Sequence, residues 1–207
     1  FLEAIRSITK KHGIMLIMDE ITVGWRLHFG GMHLKYGIEP DMAVFAKALG
    51  NGYPIGAVIG TKAAMEGAQR SFISSTYWTE SLGPVAALAT IAAMEKQDIQ
   101  KAIEHSGQQV QGILQTTAAS ENLPLQVKGF PALTSFSFDH PESEMLRTIF
   151  TQQMLSKGFL AGTSFYPTLA HSEKIIAAYK QALAETFGCL SQVIKENSFE
   201  KWPKEEK

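Results

Sequence analysis

Residues 14–27 read IMLIMDEITVGWRL and residues 45–60 read FAKALGNGYPIGAVIG. Ile14 to Met18 is a continuous apolar run, too short for a helix, and predicts a strand buried on both faces as in a parallel sheet. Asp19 and Glu20 follow at its carboxyl end, where open α/β sheets gather their ligand chemistry. A second run, Met42 to Ala46, repeats the pattern and delivers Lys47. Gly50, Asn51, Gly52 and Pro54 then allow a tight turn close to whatever Lys47 holds. One strand end therefore offers a carboxylate and a nearby one an amine.

That pair is the set pyridoxal phosphate requires: a lysine to form its Schiff base and an acid to keep the pyridine nitrogen protonated. MDEITVGWR, YGIEPDMAVFAKALGNGYPIGAVIG and STYWTESLGPVAALATIAAME resemble the class III aminotransferases, most closely the glutamate-1-semialdehyde aminomutase-like branch. The resemblance covers most of the chain. It implies fold type I: an α/β protein with part of a large domain (residues 1–105, a mostly parallel sheet) and a C-terminal α+β small domain (residues 106–207). It also implies amino-group transfer on a small-molecule donor and acceptor, in a homodimer whose sites are shared across the interface.

By resemblance, Lys47 carries the cofactor and then moves the proton at the substrate's α-carbon, a role that burial among apolar neighbours would favour by leaving a neutral amine. Asp19 pairs with the ring nitrogen, although a turn cap is the commoner job for an aspartate after a strand. Ile21 packs on the ring face. Thr22 stands where many class III enzymes carry glutamine near the ring hydroxyl. Thr79, five residues before Pro84, matches a threonine that binds the cofactor phosphate, in the family that of the neighbouring subunit. Thr76 and Ser75 are its alternatives, and an ordinary N-cap is the plainer reading. Glu20 either faces substrate or anchors the loop. Arg26 meets a substrate carboxylate or makes a structural hydrogen bond. Tyr77 and Trp78 line a pocket or pack. His171 resembles a histidine of the family's C-terminal segment but suits a cap on the last helix. No arginine lies between Lys157 and Lys180, where enzymes acting on α-amino acids usually hold the α-carboxylate. This favours the aminomutase-like branch or an unusual amine.

Around this centre, Leu2, Ile5 and Ile8 predict a helix over residues 1–11, stopped at Gly13. Residues 22–36 predict an irregular loop with a short helix, residues 57–60 a strand and residues 61–69 a helix. An alanine-rich helix from Val85 runs to about Thr116, with a break near Ser106 and Gly107. Two short strands lie in residues 123–138, split at Gly129 and Pro131. A helix over 141–157 closes at Gly158, a strand covers 159–166, and Ser172 caps a helix reaching Glu196. The charged tail, residues 198–207, frays.

Nineteen basic residues against twenty acidic ones leave a net charge of −1 with no long charged block, which offers nothing to nucleic acid or an anionic membrane. No stretch reaches membrane-spanning length. Cys189 is the single cysteine, so no internal disulfide forms, in keeping with a reducing cytoplasm. The six histidines show no metal-ligand spacing. The sequence starts mid-helix without methionine and reads as a piece of a protein about twice as long, lacking the family's glycine-rich phosphate loop and ring-stacking aromatic. Weak or no activity is the expectation for this piece alone. Two other readings stay open: a nucleotide-binding module using GNGYPIG, which lacks the G-x-G-x-x-G spacing, and a non-catalytic relative retained for assembly.

Overall fold

The computed structural model describes residues 1–74, 76, 77 and 79–202. Ser75 and Trp78, and residues 203–207 of the tail, lie outside the described residues. The chain forms two compact units, Phe1–Gln100 and Lys101–Lys207.

In the first unit, helix α1 (Leu2–Lys11) ends ahead of Gly13, whose φ of +64° suits a residue without Cβ. Strand β1 (Ile17–Asp19) is shorter than the apolar run predicts. The run's first residues are taken elsewhere. The Ile14 amide closes α1 on the Thr9 carbonyl, and the Leu16 amide donates to the Asp41 carboxylate at 2.8 Å. β1 pairs in parallel with β2 (Met42–Phe45), which pairs antiparallel with β3 (Ala57–Gly60). The expected parallel pairing thus holds for β1 and β2, while β3 joins in the opposite sense. Among the described residues β1 borders β2 alone, and Ile17 is 55% exposed, which corrects the expectation of burial on both faces. Ala43, Phe45, Leu49 and Ala87 form a small core.

Asp41 holds the entry to this sheet. Besides Leu16, it takes two hydrogen bonds from the Arg6 guanidinium, at 2.7 and 3.3 Å, so α1, β1 and β2 meet at one carboxylate. The remaining elements of the unit are α2 (Met32–Lys35), α3 (Lys62–Gln69), whose N-cap Thr61 accepts from the Ala64 amide, and α4 (Leu82–Lys96). α4 and α5 (Ile99–Ser120) part at Gln97, whose backbone is extended, not at Ser106 and Gly107. Gly107 lies inside α5, where a Cβ would overlap the Pro131 carbonyl. The glycine lets the helix approach a neighbouring segment; it does not break it.

The second unit sets helices against an antiparallel sheet of β4 (Leu125–Lys128), β5 (Thr134–Phe138) and β6 (Ser164–Phe165). Helices α6 (Ser143–Ser156) and α7 (Glu173–Glu196) join α5 in its core. Ile176, Tyr179, Leu183, Phe187 and Leu190 recur at helical spacing along α7 and are all buried. Phe136 meets Phe150 edge to face at 5.2 Å across the core. Ser172 occupies the N-cap position of α7 without a side-chain cap bond, and the strand expected over 159–166 is confined to two residues. Nor does His171 cap α7: its Nδ1 accepts from the Thr168 amide in the preceding turn.

Two stability tests follow from these contacts. Gly107→Ala forces a Cβ into Pro131 and should cost about 1–3 kcal/mol. Gly112→Ala, on the same helix with nothing within 4 Å of its Cβ, should gain up to about 1 kcal/mol from helix propensity. Urea titrations giving both variants the same sign would refute the close-approach role of Gly107.

The second concerns acid. Arg6, and then the Leu16 amide, hold the Asp41 carboxyl below the usual carboxylate range. Protons therefore bind the unfolded chain more tightly there, and the stabilisation is present at neutral pH and lost as pH falls through that range. Asp41→Asn should melt earlier than the parent at pH 7, and the gap should close as pH falls below the usual carboxylate range. A gap that persists in acid would remove the ionic contribution.

Candidate functional site

Because β1 and β2 run in parallel, their carboxyl ends lie on one edge of the sheet. Asp19 sits opposite Val44, three residues before Lys47. Lys47 opens a 3₁₀ turn (Lys47–Leu49) with φ of +47°, a conformation in which non-glycine residues are uncommon and which concentrates at functional sites. Its Nζ crosses to the loop after β1 and donates to Thr22 Oγ1 at 2.7 Å. Asp19, Ile21, Thr22 and Lys47 are thus brought to one place.

The donor set fits pyridoxal phosphate. The Lys47 amine is exposed and spends one of its three donors on a neutral hydroxyl. Asp19 is exposed too, and accepts one backbone bond, from the Ile21 amide at 3.0 Å. The rest of the carboxylate is available to a protonated ring nitrogen. The described residues leave Lys47 exposed and do not supply the apolar burial that would favour a neutral amine.

Glu20 has the opposite fate. Strand residues alternate sides, so the neighbour of an outward Asp19 points inward. Glu20 is 0% exposed. Its Oε2 accepts from the Met32 amide at 2.9 Å, and Oε1 from the His33 amide at 2.9 Å and His33 Nδ1 at 2.8 Å. Both oxygens hold α2 and the loop, so Glu20 is a structural anchor; its assignment to substrate is withdrawn. Gly31 leaves the room this needs, since a Cβ there would lie 2.9 Å from Glu20 Oε1.

The other candidates are more dispersed. Arg26 is half-buried on the same loop, its amide donating to the Val23 carbonyl at 3.2 Å. Thr79 is exposed in the turn before α4, as are Thr76 and Tyr77. The hydrogen bond of the Lys47 amine goes to Thr22 and not to Thr79. The Leu82 and Gly83 amides at the start of α4 are occupied by the chain's own Glu80. Its Oε1 accepts from Leu82 at 2.5 Å and its Oε2 from Gly83 at 3.0 Å. Glu80 is absent from the residues that the sequence singles out, although an acidic residue beside a helix start is a recognisable signal.

The class-III aminotransferase family model matches residues 1–194, and the chain belongs to that family. It is 31% identical over 206 residues to a glutamate-1-semialdehyde 2,1-aminomutase of Thermodesulfovibrio yellowstonii, covering 90% of this chain and 48% of that protein. With 2'-deamino-2'-hydroxyneamine transaminase of Streptomyces kanamyceticus it shares 28% identity over 191 residues, again covering 48% of the relative and 89% of this chain. The fold matches the PLP internal aldimine form of the FumI protein of Sphingopyxis sp. MTA144 with a TM-score of 0.86 at 21% identity, over 96% of this chain and 48% of that one. The chain therefore spans about half the length of these relatives. The family's enzymes depend on pyridoxal phosphate.

Glu20→Ala should cost about 3 kcal/mol, since it leaves two buried amides and the His33 ring without their acceptor. Chemical denaturation measures this directly. A loss below about 0.5 kcal/mol would mean that the carboxylate is not the anchor of the loop.

Proposed function

We propose that this chain carries the lysine and acid of a pyridoxal phosphate-dependent aminotransferase or aminomutase, and that Lys47 is the residue that binds the cofactor covalently. The reading is carried by one observation: the Lys47 amine, on a left-handed backbone, is held 2.7 Å from Thr22 at the strand edge that also presents Asp19. When bound, the cofactor supplies an electron sink for charge developing at a substrate's α-carbon. Asp19 keeps the ring nitrogen's proton in place. Ile21 would pack on the ring face, and Thr22 holds the lysine amine. Once free, that amine takes the proton from the α-carbon and returns it. Thr79 is assigned to the phosphate through its hydroxyl, without help from the α4 amides. Arg26 is assigned to a substrate carboxylate.

Transfer between two small molecules and migration within one use the same lysine and acid, and names of both kinds occur among the relatives. Turnover is assigned to a homodimer of the whole protein, with each site shared across the interface. The 207-residue chain, at about half the relatives' length, is assigned cofactor capture and little turnover.

The test is borohydride reduction with pyridoxal phosphate, followed by peptide mass spectrometry. A pyridoxyl label should appear on Lys47 and vanish in Lys47→Ala. Thr22→Val should lower labelling at limiting cofactor about fivefold, the worth of one hydrogen bond near 1 kcal/mol, and Thr22→Ser should restore it. Labelling spread over surface lysines, unchanged in Lys47→Ala, would sink the proposal.

A further inference from the structure

We propose that Glu80 is a positioning residue: together with Tyr53 it ties the turn that follows Lys47 to the start of α4, and so fixes the backbone that presents the lysine. The role for Lys47 rests on the function proposed above; the tie itself rests on contacts within the first unit.

The first amides of a helix lack intrahelical acceptors and are commonly satisfied by the N-cap side chain. Here Ser81 occupies the N-cap and makes no such bond. Glu80 does so instead, one oxygen to Leu82 and the other to Gly83. A local cap needs nothing more, yet Glu80 Oε1 also accepts from the Tyr53 hydroxyl at 3.3 Å, across 27 residues of sequence. The Gly83 amide, above all, holds the Glu80 carboxyl below its ordinary range, so the acceptor is ionised at neutral pH.

From Tyr53 the contacts lead back to the lysine in short steps. The Tyr53 amide donates to the Gly50 carbonyl at 3.0 Å, and the Gly50 amide to the Lys47 carbonyl at 3.1 Å. Gly50 has no room for a side chain, because a Cβ would overlap the Tyr53 carbonyl and lie 2.7 Å from Ile55 Cγ2. Ile55 in turn meets α4, its Cβ and Cδ1 lying 3.5 Å from where a Gly83 Cβ would stand. The turn is compact; it reaches the segment before α4 through the Tyr53–Glu80 hydrogen bond, and α4 itself through Ile55 and the small core that Leu49 shares with Ala87. Lys47 sits at its head in a conformation that a non-glycine residue keeps only when its surroundings enforce it. Glu80 also directly follows Thr79, so the same carboxylate fixes the segment assigned to the phosphate.

Two readouts on the 207-residue chain test this without cofactor: amide hydrogen exchange, and competitive acetylation of Lys47 with acetic anhydride. Tyr53→Phe removes only the hydroxyl, and Glu80→Ala removes the whole tie. Both should speed exchange across residues 48–56 about fivefold and raise Lys47 acetylation about twofold. Wild-type rates at these positions in both variants, with only residues 82–85 deprotected in Glu80→Ala, would make Glu80 a helix cap and overturn the proposal. An effect in Glu80→Ala with none in Tyr53→Phe would overturn it too, since the tie requires the hydroxyl. Failure of the parent chain to take pyridoxal phosphate at Lys47 would count against the proposed function alone.

Discussion

Two strands present their carboxyl ends side by side only when they run in parallel, and the pairing of β1 with β2 is the constraint on which the candidate site depends. It sets Asp19 opposite Val44 and leaves Lys47 three residues further along the same edge. Three strand residues on each side hold this register, which is little for a ladder. Asp41 compensates from the opposite end, binding Arg6 of α1 and the Leu16 amide just ahead of β1. A one-residue slip would turn Asp19 inward and Glu20 outward, exchanging an available carboxylate for a committed one.

Much of the arrangement is legible in the sequence because hydrophobic periodicity and glycine punctuation report local structure directly. Strand β3 occupies the residues marked out for it, α1 follows its periodic face, and α7 runs from just after Ser172 to Glu196 as expected. The strand ends carrying Asp19 and Lys47 stand where the pattern places them. Less legible is what depends on contacts far along the chain. Gly107 looks like a breaker by residue type, and only the nearness of Pro131 shows that it is there for close approach. Asp41 looks like a turn residue until Arg6, 35 residues away, is seen to hold it. The burial expected for β1 presupposes neighbours on both sides, and among the described residues β1 has one partner strand.

Acidic residues show how place, more than chemistry, decides role. Asp19, Glu20, Asp41 and Glu80 all stand beside a strand or helix end, where residue type alone suits either a cap or a ligand. Asp41 and Glu80 satisfy backbone amides and a distant side chain, Arg6 in one case and Tyr53 in the other. Their contacts favour the ionised form, so protonation weakens the hold at the sheet entry and at the start of α4 alike.

Asp19 and Glu20 make the sharpest contrast, since they are adjacent and chemically alike. Strand geometry sends consecutive side chains to opposite faces, so one carboxylate must meet the interior when the other meets solvent. A buried carboxylate persists only with its oxygens matched to donors; Glu20 meets that demand with two amides and an imidazole. In doing so it fixes the loop that begins with Ile21 and Thr22, and Thr22 is the residue that holds the Lys47 amine. Asp19 makes one local bond, and its remaining lone pairs are uncommitted among the described residues. Glu20 gives the loop its shape by using up its hydrogen-bonding capacity, and Asp19 can serve chemistry because its own is left largely unspent.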